Sequence, residues 1–318
     1  MHNWRSKAII TVAVPVLAIT AAACGESGGT EGGGQELSGN ILIDGSSTVA
    51  PLSEGAAELF MGQNPGVKIT VGTAGTGGGF EKFCNGETDI SDASRPIEAE
   101  ETKLCDKNGV KTEQIAVAND ALTVMVHKDN PVDCITTEQL KQIWEPGSKL
   151  KSWSEIDGLK PAYDEKLELY GPGTDSGTFD YFTEAINGEE GAQRTDYNNI
   201  GENDNAGITG VSGSKGGMFY GGYSYYAENK DKVKALEIDG GNGCVEPTIE
   251  TVQDGSYKPL GRELYIYPAE KSMERPEVKS FVQFYVDNAN KVAEAAGFIS
   301  LTGQQLSESK DAIAKLTS

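Results

Sequence analysis

The chain has 318 residues, enough to bury one large core or two modest ones. Its 48 acidic against 27 basic residues give a formal charge of −21, and no Lys/Arg-rich stripe interrupts the surplus, which argues against nucleic acid as a partner.

The first 23 residues carry Arg5 and Lys7 ahead of an apolar run from Ala8 to Ala23. Such a segment reads as a secretory signal, too short for a stable membrane span. It ends in Ala21-Ala22-Ala23-Cys24, which resembles a bacterial lipobox in which the cysteine is acylated and becomes the mature N-terminus. Ala stands where the motif usually has Leu, and an ordinary cleavage site with an incidental Cys24 is the alternative. Removing residues 1–23 takes away two positive charges and leaves the chain more acidic still. Residues 24–39 are the lipidated Cys24 and a Gly/Glu/Ser tether that buries too little to order itself and spans roughly 20 Å as a coil.

Ile41 to Ile43 reads as a strand, and the spacing of Leu52, Ala56, Leu59 and Phe60 predicts an amphipathic helix ended by Asn64-Pro65-Gly66. Val67 to Val71 returns as a strand. A glycine-rich loop, Gly72 to Gly79, leads into a short helix around Phe80 to Phe83, and the strand at 89–96 ends in polar residues and Arg95. Helix 98–108 and strand 114–119 complete a first α/β unit, and the pattern restarts after Asn119-Asp120 with a separate strand, Ala121 to His127. Beyond it lie helix 137–144, strand 167–170 and helix 179–187. The Tyr/Gly-rich stretch 217–226 reads as a packed helix beside a crossing strand, Val233 to Ile238. Helix 248–254, strand Leu264 to Pro268 and helices 277–288 and 303–317 follow. The organisation expected is α/β with two lobes: 40–125 plus 240–318 as the first, 126–239 as the second, two strands crossing between them as a hinge, and a ligand cleft between the lobes.

Two loops carry the chemistry. Asp44-Gly-Ser-Ser-Thr-Val49 and Thr174-Asp-Ser-Gly-Thr-Phe179 each join a strand to a helix, so each brings backbone N–H groups and hydroxyls to a helix N-terminus, where an anion is stabilised. The Gly72–Gly79 loop brings the Thr76 hydroxyl and further amides; it lacks the Gly-Lys of a Walker loop and the spacing of a dinucleotide fingerprint, so no nucleotide cofactor is expected. Arg95, at a strand end, offers a planar fork for oxyanion oxygens, and Arg194, in a polar surround, is a second candidate. Ser47 and Ser176 could serve as nucleophiles, but His127 is placed near the hinge and no G-x-S-x-G occurs, so an enzyme is not expected. Cys84, Cys105, Cys134 and Cys244 read as two disulfides in an exported chain; three connectivities are open, and Cys84–Cys105 with Cys134–Cys244 is the pairing we favour. No Cys-x-x-Cys or Cys-x-x-His spacing calls for a metal.

Asp44-Gly-Ser-Ser-Thr, Gly75-Thr-Gly-Gly-Gly-Phe80, Asp92-Ala-Ser-Arg-Pro-Ile97 and Gly173-Thr-Asp-Ser-Gly-Thr-Phe-Asp-Tyr-Phe182, in this order, closely resemble the phosphate-binding lipoproteins of bacterial high-affinity phosphate ABC transporters, the PstS-like family. The resemblance implies a type II periplasmic-binding-protein-like fold that closes on one phosphate ion, held at the outer face of the cell membrane by its lipid, and delivers the ion to membrane permease subunits. It implies phosphate contacts from Ser47, Thr48 and the Val49 N–H, from Thr76, and from Ser176, Gly177 and Thr178. Many members place an Arg four residues before the Ser-Gly-Thr serine, where this chain has Pro172, so Arg95 is expected to supply the charge. Ser94 stands where many members have the Asp that accepts the phosphate proton, leaving Asp92, Asp175 and Asp44 as acceptor candidates. A receptor for another oxyanion, sulfate or molybdate, and a secreted serine hydrolase are the alternatives.

Overall fold

A computed structural model describes residues 36–317. The signal segment, Cys24 and nearly all of the tether therefore lie outside the described residues.

The chain begins with strand β1 (Ser38–Gly45), whose Ile41, Ile43 and Gly45 turn inward at alternate positions. Helix α1 (Ala50–Gln63) opens with a proline in its first turn, where a missing N–H costs nothing, and buries Leu52, Ala56 and Phe60. Leu59, expected on that face, stays exposed. Strands β2 (Gly66–Val71) and β3 (Ile90–Ala93) lie parallel to β1 on either side of it, joined by helix α2 (Gly75–Cys84). Helix α3 (Ala99–Asn108) starts in a capping box made by Glu98 and Glu101 and stops at Gly109, whose φ of +71° suits a residue without Cβ. Cys84 and Cys105 are bonded, tying the end of α2 to that of α3.

The structure departs from expectation at Asn119-Asp120. Instead of two strands, one strand β4 (Ile115–His127) runs through, because both polar residues are buried and partnered: Asn119 with Gln305, Asp120 with Arg262. After it come β5 (Cys134–Thr136), α4 (Thr137–Trp144), β6 (Glu168–Gly171), α5 (Gly177–Phe182) running on as a π-helical turn to Asn187, and β7 (Asn198–Asn199). Helix α6 (Asp204–Gly213) precedes β8 (Gly217–Gly222) and α7 (Tyr223–Glu228). The stretch expected as one helix thus begins as a strand, buried on both faces beside β4. The expected crossing strand 233–238 is likewise two pieces, β9 (Val233–Ala235) against β4 and β10 (Glu237–Asp239) in a separate small sheet with β5 and β11 (Cys244–Val245). The Cys134–Cys244 disulfide staples that small sheet. Helix α8 (Ile249–Gln253), strand β12 (Gly261–Pro268) and helices α9 (Pro276–Asp287), α10 (Ala289–Ala295) and α11 (Gly303–Leu316) complete the chain.

Among the described residues the main sheet runs β2-β1-β3-β12-β4-β8-β6-β7. Two cores flank it. One gathers Ile41, Leu52, Phe60, Val117, Leu264, Phe281 and Ile313; the other gathers Leu122, Val126, Trp144, Leu169, Phe182 and Tyr220. Burying each such side chain contributes about 1.5–3 kcal/mol. Val252, Tyr257 and Leu260 pack into the second core, so its packing extends past Asp239 to the start of β12. β4 serves both cores, Ile115, Val117 and Ala118 facing the first and Ala121, Leu122 and Val124 the second, while β12 sends Leu264 and Ile266 into the first and Leu260, just before it, packs in the second. The two strands pair antiparallel where the two cores meet, with Asn119 opposite Glu263 and Asp120 opposite Arg262. The two-lobed α/β fold is as expected, with β4 passing from one core to the other and β12, not 233–238, pairing with it where they meet.

Candidate functional site

The loops that end β1, β2, β3 and β6 converge with the first residues of β12, at the carboxyl ends of the parallel strands, where α/β proteins place their ligands. The β1–α1 loop is forced close to β3. Gly45 has φ +147°, and a Cβ there would stand 2.1 Å from the Asp92 carbonyl oxygen, so only glycine fits. Ser46 N–H donates to that carbonyl at 2.9 Å, leaving Ser47 and Thr48 at the loop tip. On the other side, Ser176 caps α5 by accepting the Thr178 N–H at 3.3 Å. The helix itself is held by ring packing: Phe182 stacks on Tyr220 with centroids 3.7 Å apart, and Trp144 meets Tyr220 edge-on at 4.9 Å.

The two loops touch. Thr48 Oγ1 donates to the Gly177 carbonyl at 3.3 Å, and a Cβ at Gly177 would come within 2.9 Å of that hydroxyl oxygen. Ser47 Oγ donates to Asp180 Oδ2 at 3.1 Å. Behind them the Thr76 and Ser94 hydroxyls pair at 3.0 Å, and Ser94 N–H donates to Thr76 Oγ1 at 3.2 Å. Ser47, Thr48, Thr76 and Ser94 therefore line one small polar pocket, closed by Asp180, Tyr181, Glu184, Glu190 and Arg262.

Arg262 is the cation of this pocket. Its Nη2 donates to Thr48 Oγ1 at 3.0 Å and its Nη1 to the Ser94 carbonyl at 3.3 Å. Its Nε stands 3.5 Å from Asp120 Oδ2, and its Cζ lies 3.3 Å from the Tyr181 ring centroid. The pair is nearly out of water, with side-chain exposures of 12 % for Arg262 and 10 % for Asp120. Burial pushes the Asp120 carboxyl up, and the neighbouring guanidinium opposes the shift. Asp180 is likewise raised by burial, against the Ser47 hydroxyl and the Arg262 charge, while Glu184 and Asp175 add to the rise. Burial and the Asp180 and Glu184 charges raise Glu190 as well.

Several expected residues sit elsewhere. Arg95 is committed to Glu101 through two hydrogen bonds of 2.9 Å, and it lines a neighbouring cavity of about 550 Å³ instead of the pocket. Arg194 is buried and donates to the Ile143 carbonyl at 3.0 Å and to Asp196, a structural post in the second core's wall. The Val49 N–H is used inside its own turn, bonded to the Ser46 carbonyl at 3.2 Å. Ser176, Gly177 and Thr178 reach the loop contact through Gly177, whereas the residues of α5 that face the pocket are Asp180 and Tyr181. None of the three acceptor candidates lines the pocket. Asp44 pairs with Lys82 and accepts the Ala74 N–H; Asp92 lies fully buried, bonded to Ser53 at 2.8 Å; Asp175 is exposed on the α5 approach. Asp180 stood unremarked inside the Gly173–Phe182 motif. Arg262 had one local signal, the polar Arg262-Glu263 pair at the entrance of an apolar strand.

Both serines considered as nucleophiles are engaged, Ser47 with Asp180 and Ser176 with its helix. His127 lies at the far end of β4, its Nδ1 accepting the Asp129 N–H at 3.1 Å. Cys134, Glu237 and Cys244 place metal-type donor atoms together, but both sulfurs are joined in the disulfide.

The sequence matches the family model described as a PBP superfamily domain over residues 30–289. It is 46 % identical over 264 residues to Protein SphX of Synechococcus elongatus, covering 82 % of this chain and 77 % of that one. It is 38 % identical over 311 residues to the phosphate-binding protein PstS of Staphylococcus saprophyticus, covering 97 % and 93 %. Among solved structures, a possible phosphate-binding protein from Planctomyces limnophilus is similar with a TM-score of 0.85 at 41 % identity, over 89 % of this chain and 100 % of that one. A putative phosphate ABC transporter substrate-binding protein with bound phosphate, from Clostridium perfringens, is similar with a TM-score of 0.57 at 27 % identity, over 83 % and 100 %. The chain belongs to the PBP superfamily and, within it, to the PstS-like family of phosphate-binding proteins.

Proposed function

We propose that this protein captures inorganic phosphate between its two lobes, 40–125 with 240–318 and 126–239 apart from the extra packing of 252–260, and hands it to the permease of an ABC transporter. The observation that carries the reading is the convergence of the Ser47, Thr48, Thr76 and Ser94 hydroxyls and one desolvated guanidinium, Arg262, on a pocket that also holds Asp180. Each charge-assisted bond to phosphate contributes about 1.5–3 kcal/mol. A handful of them, after ordering and desolvation costs, reaches the roughly −8 kcal/mol of a micromolar complex.

In this reading Arg262 takes the part first given to Arg95, and Asp180 is the proton acceptor. Its carboxylate accepts a hydrogen bond from the proton of hydrogen phosphate and repels sulfate, which has none. Val49 contributes through the turn that presents Ser47 and Thr48, and Ser176, Gly177 and Thr178 through the helix start that closes on them. The seated chain is held at the outer membrane face by acylated Cys24 after removal of residues 1–23. No helix among the described residues is long and apolar enough to cross a membrane, and in this reading the anchor is the lipid. The lipobox-like Ala21-Ala22-Ala23-Cys24 supports it.

Calorimetric titration of Arg262→Ala and Arg95→Ala separates the two cations. Arg262→Ala should weaken phosphate binding at least about tenfold, the loss of one strong charged bond, while Arg95→Ala stays within about threefold. The reverse ranking would return the charge to Arg95 and overturn the site as drawn here.

A further inference from the structure

We propose that Tyr181 is a positioning residue for anion binding: its ring fixes the Arg262 guanidinium in the pocket and walls the pocket off from the cavity beside it. The inference rests on Arg262 being an anion ligand, as read above.

A guanidinium on a long side chain has many rotamers, and ordering it costs free energy at the moment of binding. Here the ordering is done in advance from two directions. The Tyr181 ring lies against one face, with Cζ 3.3 Å from its centroid, a cation–π contact that strengthens when water is excluded. Asp120, opposite Arg262 in the β4–β12 register, stands at Nε. Each Nη already donates one N–H, to Thr48 Oγ1 or to the Ser94 carbonyl, and has a second N–H with which to meet an oxyanion. The ring is itself fixed: it is buried, and its hydroxyl donates to the Pro259 carbonyl at 2.8 Å. Tyr181 also belongs to the helix that begins at Gly177, so whatever brings that helix start to Thr48 brings the ring to Arg262.

The same pair is a partition. Tyr181 and Arg262 line both the small pocket and the cavity of about 550 Å³ that contains Lys258 and Arg95. Removing the ring joins the two spaces and admits water, which raises the local dielectric and weakens every charged bond in the pocket. An aliphatic side chain of similar bulk restores neither the cation–π face nor the flat seal.

The test is a set of phosphate titrations with stopped-flow dissociation rates on the full mature chain: wild type, Tyr181→Phe, Tyr181→Leu, Arg262→Ala and the double variant Tyr181→Leu/Arg262→Ala. Tyr181→Leu should weaken binding at least about tenfold, chiefly through faster dissociation. Tyr181→Phe, which keeps the face and loses only the bond to Pro259, should recover most of that loss. In the Arg262→Ala background Tyr181→Leu should add less than about twofold, because its partner is already gone. Should Tyr181→Leu fail to fold by circular dichroism, Tyr181→Met replaces it with the same expectation. Equal losses for Phe and Leu, or a full additional loss on Arg262→Ala, would make Tyr181 a packing residue only and overturn the inference. Wild-type binding by Arg262→Ala would overturn the ligand assignment beneath it as well, and is distinguishable because it needs no Tyr181 variant.

Discussion

In the proposed reading a single carboxylate decides what this pocket refuses. Asp180 receives the Ser47 hydroxyl at 3.1 Å and faces Arg262 across the pocket. As an ionised acceptor it matches an anion that still carries a proton. Asp180→Asn replaces one acceptor oxygen with a donor, so sulfate should gain and phosphate lose, narrowing the ratio of their dissociation constants at least about tenfold. Parallel titrations with both anions check this, and an unchanged ratio would move the acceptor elsewhere. Asp92 carries a different residue-scale prediction. Burial pushes its carboxyl from 3.8 up to about 8, with Ser53 opposing the shift. The folded chain keeps that proton where the unfolded chain has lost it, so between about pH 4 and 8 folding takes up a proton and stability falls as pH rises through that window. Asp92→Asn removes the group, and its urea midpoint should gain on wild type at pH 8 relative to pH 5; identical pH dependence in both chains would contradict the burial argument.

At the scale of elements, the loops were legible in the sequence because their signals are local. Gly45, Ser47 and Thr48 adjoin one another, and Ser176-Gly177-Thr178 opens its helix as its composition implies. The helix expected over 137–144 matches α4, whose start is fixed by a capping box of Thr136 and Gln139 three residues apart. What escaped was set by distant partners. Asn119-Asp120 looks like a strand break until Gln305 and Arg262, far along the chain, satisfy both side chains inside β4. Crowded Tyr and Gly over 217–226 suit a packed helix, yet β4 and β6 on either side make residues 217–222 a central strand. Arg262 meets Thr48 across 214 positions, a separation no motif spans. The disulfide Cys134–Cys244 works at this scale too. It closes a loop of 110 residues and restrains the small sheet beside β12. Replacing both cysteines with serine should lower unfolding stability by about 2–5 kcal/mol. Denaturant melts check it, and a variant as stable as wild type would show that the sheet holds without its staple.

On the scale of the whole molecule, the placement of Arg262 joins binding to closure. It grows from β12, which pairs with β4 where the two cores meet, and touches the β1–α1 loop on one side and α5 on the other. In the proposed reading an oxyanion bound there engages β12 and both walls at once, so that the closed arrangement and the occupied site favour each other. The acidic surface does not oppose this, because the interactions that matter are short and desolvated while the bulk charge is screened beyond about 8–10 Å at ordinary ionic strength.

The central claim, a receptor selective for phosphate, meets its most direct test in calorimetric titration of the mature chain, stripped of endogenous anion, with phosphate, arsenate and sulfate in turn. The account predicts micromolar or tighter phosphate binding at one site, arsenate binding of the same kind because it too carries a proton, and no sulfate heat. Equal binding of sulfate would contradict the role of Asp180, and absence of phosphate binding would contradict the function itself.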